Sequence, residues 1–291
     1  MKISYNEGCT LHNSTLEQDI ELAGRAGFSH IELRLDKLRE YLQVHTLADL
    51  KTLLVESQIL PHAMNGIYTY TDFLSDRDDP VRQRALLEDI RFLCEVCNAI
   101  GSRDIIIVPP IYMEAENRSY TDPWEKRLAD NVRIFTKLSD FVAPFHVRLA
   151  LEIVGAPRSS VRTIAEYNEI ARQVHRPNVG CTLDAFNLYL YSKSNDFSAI
   201  RTMAPEQIFV VHINGGEDGA LEGLRQSYRT FCDRGVMDVG NYLENLHAVG
   251  YDGPVSIEFF REDCWKLDAW DVICEAYETT KAVLAANSMI S

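Results

Sequence analysis

Four residues with metal-binding side chains lie at the ends of four consecutive β-like runs in the second half of the chain. They are Glu152 in LALEIVG, Asp184 in VGCTLDAFN, His212 in IFVVHING and Glu258 in PVSIEFF. A carboxylate in an apolar run is costly to bury alone, so it needs a cation, a hydrogen-bond network or the water of a cleft. Three carboxylates and one imidazole would repel and titrate abnormally unless a divalent cation held them. This oxygen-rich set with one nitrogen suits Mn²⁺ best, with Mg²⁺, Co²⁺ and Zn²⁺ as alternatives.

Each of these residues also has a purely structural explanation. A glutamate at a strand end is commonly an ion-pair partner, and a histidine in VVHING is commonly a hydrogen-bonded core residue. Asp184 has the position of an N-cap before AFNLYL. Coincidence on four consecutive strands favours the functional explanation, because side chains at the ends of parallel strands converge. We therefore expect one metal centre built from all four residues.

Short β-like runs alternate with amphipathic helical stretches along the whole chain. Helical periodicity predicts helices over 15–27, 78–101, 125–144, 162–174, 238–250 and 269–286. The predicted strands are 2–8, 30–35, 60–67, 104–110, 148–155, 179–187, 208–215 and 254–260. Such alternation without a linker predicts an α/β protein with the (β/α)8 TIM barrel fold. We expect one barrel domain over 1–291, with the active site at the C-terminal ends of the strands.

Local signals support the same division into elements. Ser14 and Glu17 have the spacing of a capping box at the first helix, while Gly27, Gly101 and Gly250 each follow a helix and precede a strand. No G-x-G-x-x-G follows the first strand, which argues against an open doubly wound sheet. Side chains alternate along a strand, so the charged residues in RLALEIVG and PVSIEFF should face the barrel mouth while their apolar neighbours pack against helices.

The composition excludes several classes of protein. With 291 residues, 46% hydrophobic and 25% charged, the chain can bury a sizeable core. Its net charge of -14 argues against nucleic acid as a partner. The N-terminal residues lack the apolar core of a signal peptide and no run of 18 apolar residues occurs, so we expect a cytoplasmic protein without a membrane partner. The odd count of 7 cysteines fits reduced thiols, and we expect Cys94 and Cys97 to pack in the core.

The chain resembles the xylose isomerase-like superfamily of sugar isomerases and epimerases, and within it the inosose (2-keto-myo-inositol) isomerases. The resemblance extends nearly from end to end, through ISYNEGCTLHNSTLEQDIELAGRAGFSHIELR, DKLREYL, LALEIVGAP, NVGCTLDAFN, VVHI and VSIEFFR. It implies metal ligation by Glu152, Asp184, His212 and Glu258. It also implies a proton shift between a carbonyl carbon and its carbinol neighbour through an enediolate, with Glu152 and Glu258 as the acid/base pair.

Three departures from the relatives concern the substrate. Asn187 and Tyr189 stand where relatives carry histidines, so proton handling at a substrate hydroxyl should differ. Arg229 matches an arginine of the relatives and is expected to contact the substrate, as is Asn187. Arg158, which stands where relatives carry a neutral or acidic residue, is also expected to contact the substrate. Both arginines have the alternative of being ordinary solvated side chains. If Arg158 faces the pocket beside Arg229, a carboxylate-bearing substrate is favoured.

Four functions are compatible with this pattern to different degrees. The first is a metal-dependent isomerase or epimerase of a ketocyclitol or ketose of the inosose type. The second is a lyase or dehydratase that acts on a cyclic keto acid or keto sugar with the same scaffold. An apurinic endonuclease is disfavoured by the acidic chain and by DAFN after strand six, and a non-catalytic sugar-binding barrel is disfavoured by four intact ligands. The sequence allows a homo-oligomer without determining the oligomeric state.

The expected substrate is a small neutral polyol ketone rather than a phosphorylated sugar. The long connection after strand seven carries Glu217, Asp218 and Glu222, which would repel a phosphate. Four aromatic residues are candidates for a pocket wall against a ring: Tyr68, Tyr70, Phe73 and Trp265.

Overall fold

A closed barrel of eight parallel strands forms the centre of the computed structural model, which describes residues 1–116, 118–219 and 225–290. Each strand pairs in parallel with its neighbours in sequence, and the last strand closes on the first. The TIM barrel prediction is therefore confirmed. The strands are β1 (Lys2–Asn6), β2 (His30–Arg34), β3 (Leu60–Tyr68), β4 (Asp104–Val108), β5 (Arg148–Glu152), β6 (Val179–Asp184), β7 (Ile208–Ile213) and β8 (Pro254–Ile257).

Helices surround the barrel and confirm the six predicted helical stretches, while α2, α3 and α7 add to the predicted set. Both α2 and α7 begin at the residue after a strand ends, so no loop residues mark the change from strand to helix period. The helices are α1 (Leu16–Ala26), α2 (Leu35–Tyr41), α3 (Leu47–Glu56), α4 (Pro80–Ile100), α5 (Trp124–Val142), α6 (Ile164–Val174), α7 (Ala185–Ser192), α8 (Val239–Ala248) and α9 (Ala269–Ala286).

Most predicted strands extend beyond the observed ones at their C-terminal ends. The predicted strand 2–8 stops at Asn6, and a 3-10 turn over Glu7–Thr10 follows it. The predicted strand 179–187 stops at Asp184, because α7 begins there. Glu258 likewise lies one residue after β8. The apolar pattern thus continues past the point where the backbone leaves the sheet. The candidate site residues lie at or near these strand ends, and the candidate site is therefore at the mouth of the barrel.

The start of α1 differs from the expected capping box at Ser14 and Glu17. The observed box lies one residue further on: Thr15 Oγ1 accepts from the backbone N–H of Gln18, and Gln18 Oε1 accepts from the backbone N–H of Thr15. The Ser14 hydroxyl instead donates to the buried carboxylate of Asp19 and accepts from Lys37 Nζ, so its oxygen is used away from the helix N-terminus. The C-terminal glycines behave as expected, with Gly27 in the left-handed region at φ 107°.

The packing confirms the expected alternation of side chains. Leu149 and Leu151 of β5 join the large core between barrel and helices. Ala150 belongs to a small cluster inside the barrel, together with Ala63, Ile106, Phe209 and Val210. Cys94 and Cys97 are buried free thiols, as predicted. Among the described residues, no helix has the length and apolar character needed to span a membrane.

Two loop pairings hold the walls of the barrel mouth. Gly215–Gly216, just after β7, pairs antiparallel with Arg229–Thr230, which brings the end of the long connection back over the barrel. The segments after β4 and β5 are joined by an antiparallel bridge between Ile111 and Ser159. The backbone N–H of Tyr112 also donates to the Arg158 carbonyl at 3.0 Å. These pairings determine where the two arginines of interest enter the mouth.

Candidate metal centre

Three of the four predicted ligands lie in contact at the mouth of the barrel. Asp184 on β6 and His212 on β7 are register partners, and His212 is also the partner of Ser256, two residues before Glu258. The His212 Nδ1 atom lies 3.7 Å from Asp184 Oδ2 and 3.1 Å from Glu258 Oε2. All three side chains are buried. Because neighbouring strands are parallel and in this register, three residues that are far apart along the chain form one cluster.

The N-cap explanation for Asp184 is also correct, because its Oδ1 accepts from the backbone N–H of Asn187 at 2.6 Å.

Glu152 ends β5 on the other side of this cluster. Its side chain is 7% exposed, and its Oε1 accepts a hydrogen bond from Asn187 Nδ2 at 2.8 Å. Asn187 lies on α7, which can approach the segment after β5 closely because residue 155 is glycine. A Cβ atom added at Gly155 would lie 1.9 Å from the Asn187 carbonyl oxygen. Asn187 therefore holds Glu152 in place, and it is not among the residues that line the cavity described below.

Arg229 enters the cluster from the returning connection. Its Nη2 lies 3.2 Å from Asp184 Oδ1, and its Nη1 donates to Glu258 Oε2. The side chain is 1% exposed, so the alternative of a solvated arginine is wrong for this residue. The guanidinium bridges two predicted metal ligands and neutralises part of their charge.

Glu32 is a member of the cluster that the sequence reasoning missed. Its Oε2 lies 3.1 Å from His212 Nε2 and accepts from Asn6 Nδ2 at 2.7 Å. Asn6 Nδ2 also donates to Glu258 Oε1, at 3.1 Å. Among the described residues, Glu32, His212 and Glu258 form a group that could offer one ligand atom each within 4.8 Å. A signal existed, because HIELR places a glutamate between apolar residues just as LALEIVG does.

The cluster opens into a cavity of about 260 Å³. Tyr68 and Tyr70 line it and stack on each other, with ring centroids 5.5 Å apart. The expectation for Phe73 and Trp265 is wrong: Phe73 is packed in the core, and Trp265, whose Nε1 donates to the Gly8 carbonyl oxygen, is not among the residues that line the cavity. The lining residues are Asn65, Tyr68, Tyr70, Val108, Ile111, Met113, Glu152, Val154, Arg158, Gln226, Arg229, Glu258 and Phe260.

Comparison with known proteins assigns the family. Residues 20–282 match the model of the xylose isomerase-like TIM barrel family. The chain belongs to this family. It is 33% identical over 290 residues to inosose isomerase of Bacillus velezensis, a match that covers 99% of both proteins. The crystal structure of the IOLI protein with a bound zinc atom is similar with a TM-score of 0.88 and 31% identity, covering 99% of both chains. A 3-dehydroshikimate dehydratase of Pseudomonas putida is 25% identical over 86% of this chain and 37% of that protein.

The donor atoms of this xylose isomerase-like barrel fit a divalent cation. His212 Nδ1 is buried and, among the described residues, has no partner in hydrogen-bond geometry, although carboxylate oxygens of Asp184 and Glu258 lie nearby. Glu32 contacts the other ring nitrogen, which is how carboxylates commonly orient a metal-bound histidine. We therefore expect Glu32 to hold the imidazole, and Nδ1 to be the atom available for a metal.

The two carboxyls that face the cavity have opposite pKa shifts. Burial raises the pKa of Glu152 to about 8, and the Glu258 carboxylate adds to that shift. Burial also acts on Glu258, but His212 and Arg229 outweigh it and hold the pKa of Glu258 well below its usual range. Burial disfavours the charged imidazole, yet the carboxylates of Glu258 and Glu32 raise the pKa of His212 well above its ordinary value. Such divergent environments are typical of acid and base pairs.

The acidic residues of the long connection do not face the cavity. Glu217 is paired with Arg261 at 2.5 Å, and Asp218 with Lys193 at 3.1 Å. Glu222 lies outside the described residues. Neither described acid lines the cavity, so they give no direct argument against a phosphorylated substrate.

Proposed function

We propose that this protein is a divalent-metal-dependent isomerase or epimerase of a ketocyclitol or ketose of the inosose type. The observation that carries the proposal is the pair of carboxylates, Glu152 and Glu258, that line one small cavity from strands separated by β6 and β7. Two carboxylates on different sides of a bound ketone can remove and return a proton at neighbouring carbons. Similarity to inosose isomerase over 99% of both proteins supports the substrate class.

Glu152, Asp184, His212 and Glu258 would hold the metal, with Mn²⁺ as the proposed ion because the donors are mainly oxygens with one nitrogen. A zinc atom in the related IOLI protein supports a divalent cation more generally. When bound, the ion supplies Lewis-acid polarisation of the substrate oxygens. We also propose a cytoplasmic location and a homo-oligomer.

The surrounding side chains have defined tasks in this proposal. Asn187 orients Glu152 through its 2.8 Å hydrogen bond, so that a carboxyl oxygen can point at the substrate C–H. Arg229 holds Glu258 through a hydrogen bond from its Nη1. Its Nε is buried without a hydrogen-bond acceptor among the described residues, so this N–H can donate to a substrate oxygen. Tyr68, Tyr70 and Phe260 cover the cavity with aromatic surface and exclude water from the enediolate.

A dehydratase is the second candidate. In that reaction the enediolate expels a β-hydroxyl as water instead of being reprotonated at carbon. The similarity to 3-dehydroshikimate dehydratase and the position of Arg158 in the cavity wall favour it. The lower identity and partial coverage of that relative leave the isomerase as the better supported proposal.

Deuterium exchange tests the reaction class. The metal-loaded protein is incubated with inosose in deuterated water, and the product is followed by proton NMR. We expect isomer formation with deuterium incorporated beside the carbonyl, and loss of this signal after removal of the metal with a chelator. Formation of an unsaturated product would select the dehydratase. Absence of exchange with every ketocyclitol and ketose offered would overturn the proposal.

A further inference from the structure

Arg158 is a half-buried cation in the cavity wall with most of its donors unused. Its Nη1 donates to the Tyr112 carbonyl oxygen at 2.7 Å. Within the part of the chain that the structure describes, no carboxylate pairs with it. A guanidinium carries five N–H donors in a planar fork, so the remaining donors are available to a molecule in the cavity.

Arg229, the other arginine in the wall, differs in this respect. It bridges Asp184 and Glu258, so its charge is compensated within the protein. Arg158 contributes a charge that no described residue compensates. A cation that faces a small cavity attracts an anion, because the low-dielectric walls focus its field.

The position of Arg158 is built into the fold. The 3.0 Å hydrogen bond from Tyr112 N to the Arg158 carbonyl and the Ile111–Ser159 bridge fasten its backbone to the segment after β4. The Ser160 N–H donates to the Pro110 carbonyl at 2.9 Å on the same ribbon. Together with the Nη1 contact, these bonds hold the guanidinium before any ligand arrives, which lowers the entropic cost of binding.

We infer that the substrate is not the neutral polyol ketone expected from the sequence but a ring ketone that also carries a carboxylate, which Arg158 binds at the wall of the cavity while the ketone lies between Glu152 and Glu258. The position of the ketone in this inference rests on the proposed function, whereas the carboxylate contact does not. The cavity of about 260 Å³ suits one substituted six-membered ring. A carboxylate matches one guanidinium edge with two parallel hydrogen bonds. A phosphate site usually contains a helix N-terminus or several cations. This wall has one uncompensated guanidinium, which favours a carboxylate over a phosphate.

Binding of a ring acid and its methyl ester tests the inference without turnover. Quinate and methyl quinate are titrated into the metal-loaded protein by calorimetry, at one fixed ionic strength. We expect quinate to bind roughly tenfold more tightly than its ester, as a charge-assisted pair predicts. Arg158→Gln should remove this preference by weakening the binding of quinate much more than the binding of its ester. Arg158→Lys keeps the charge but loses the fork, so it should retain part of the preference.

Arg118→Gln is the matched control. Arg118 is 51% exposed and lies 4.3 Å over the ring of Tyr112, but it does not line the cavity. We expect this variant to bind both ligands as the wild type does. Equal affinities for acid and ester in the wild type, or an equal loss of preference in Arg118→Gln, would overturn the inference. Tighter binding of a cyclitol monophosphate than of quinate would overturn the choice of a carboxylate.

The two proposals fail in different ways. If no ketone exchanges deuterium but the preference for quinate persists and depends on Arg158, the proposed function is wrong and the carboxylate site stands. If inosose exchanges deuterium but acid and ester bind equally well, the carboxylate site is wrong and the proposed function stands.

Discussion

Two groups of buried charge lie beyond the C-terminal ends of the barrel strands, and they compensate their carboxylates differently. In the first, the candidate metal centre, Glu152 and Glu258 line an open cavity and His212 Nδ1 makes no hydrogen bond to any described residue. The second, which we name the closed cluster, consists of Thr10, Ser14, Asp19 and Lys37. There Lys37 Nζ pairs with Asp19 Oδ2, while the Thr10 and Ser14 hydroxyls donate to Asp19 Oδ1.

The difference shows what separates a binding site from a structural ion pair. The closed cluster supplies its own ammonium group, and the Asp19 carboxylate is fully buried. The metal centre has more carboxylates than the chain compensates, and it opens to a cavity that a small molecule can enter. Buried carboxylates alone are therefore a weak signal. The candidate binding site is indicated by two further features, the His212 Nδ1 atom without a hydrogen bond and the access to a cavity.

The largest expected effect is on turnover in the metal centre. Glu258→Gln should keep the fold, because the amide fills the same space, yet lower the rate of deuterium exchange by about 10³-fold through loss of the acid/base group and a ligand. Proton NMR and thermal unfolding measure the two quantities. Near-normal exchange would remove Glu258 from the acid/base role.

The closed cluster should respond in stability instead. Lys37→Met leaves Asp19 buried without its cation and should lower the free energy of unfolding by about 3–5 kcal/mol. Deuterium exchange per folded molecule should stay near normal. The double variant Asp19→Asn/Lys37→Met is the control, and denaturant unfolding should show that it regains most of the loss. A loss of exchange in folded Lys37→Met would contradict the separation of the two groups.

Glu32 is predicted to act through His212 rather than as a ligand. Glu32→Gln keeps an oxygen for the His212 Nε2–H but removes the charge, so metal affinity should fall by roughly 10–100-fold. Competition with a chelator measures the dissociation constant. If Glu32→Gln lowers affinity as much as His212→Ala does, Glu32 is itself a ligand and the four-residue assignment is wrong.

The smallest expected effect concerns Glu7, which lies beside the closed cluster. Burial, with a contribution from Asp19, raises its pKa from 4.5 to about 8. Between these two values the folded protein binds more protons than the unfolded chain, so this group stabilises the fold at low pH and its contribution is lost as pH rises towards 8. Glu7→Gln should flatten that dependence by on the order of 1–2 kcal/mol. Unfolding in denaturant at pH 5 and pH 8 measures it, and parallel profiles for both proteins would contradict the assignment.

Local patterns predicted much of the fold and part of the site. Alternation of strand and helix signals predicted the barrel, and a charged residue at the end of an apolar strand marked Glu152, Asp184, His212 and Glu258. HIELR also carries a charged residue in an apolar strand, but Glu32 was not among the predicted site residues. The contacts of Arg229 could not be predicted from local sequence patterns, because they depend on how the long connection folds back against Gly215–Gly216.

The sequence alone determined the order of the eight strands, the family and the identity of the four candidate ligands, because periodicity and residue type are local properties. Tertiary structure decided which charges meet. Glu32 and His212 are 180 residues apart, and Asn6 and Glu258 are 252 apart, yet barrel closure brings each pair within hydrogen-bond distance. It also decided that Arg229 is compensated while Arg158 is left to face the cavity, since compensation depends on neighbours that only the folded backbone supplies.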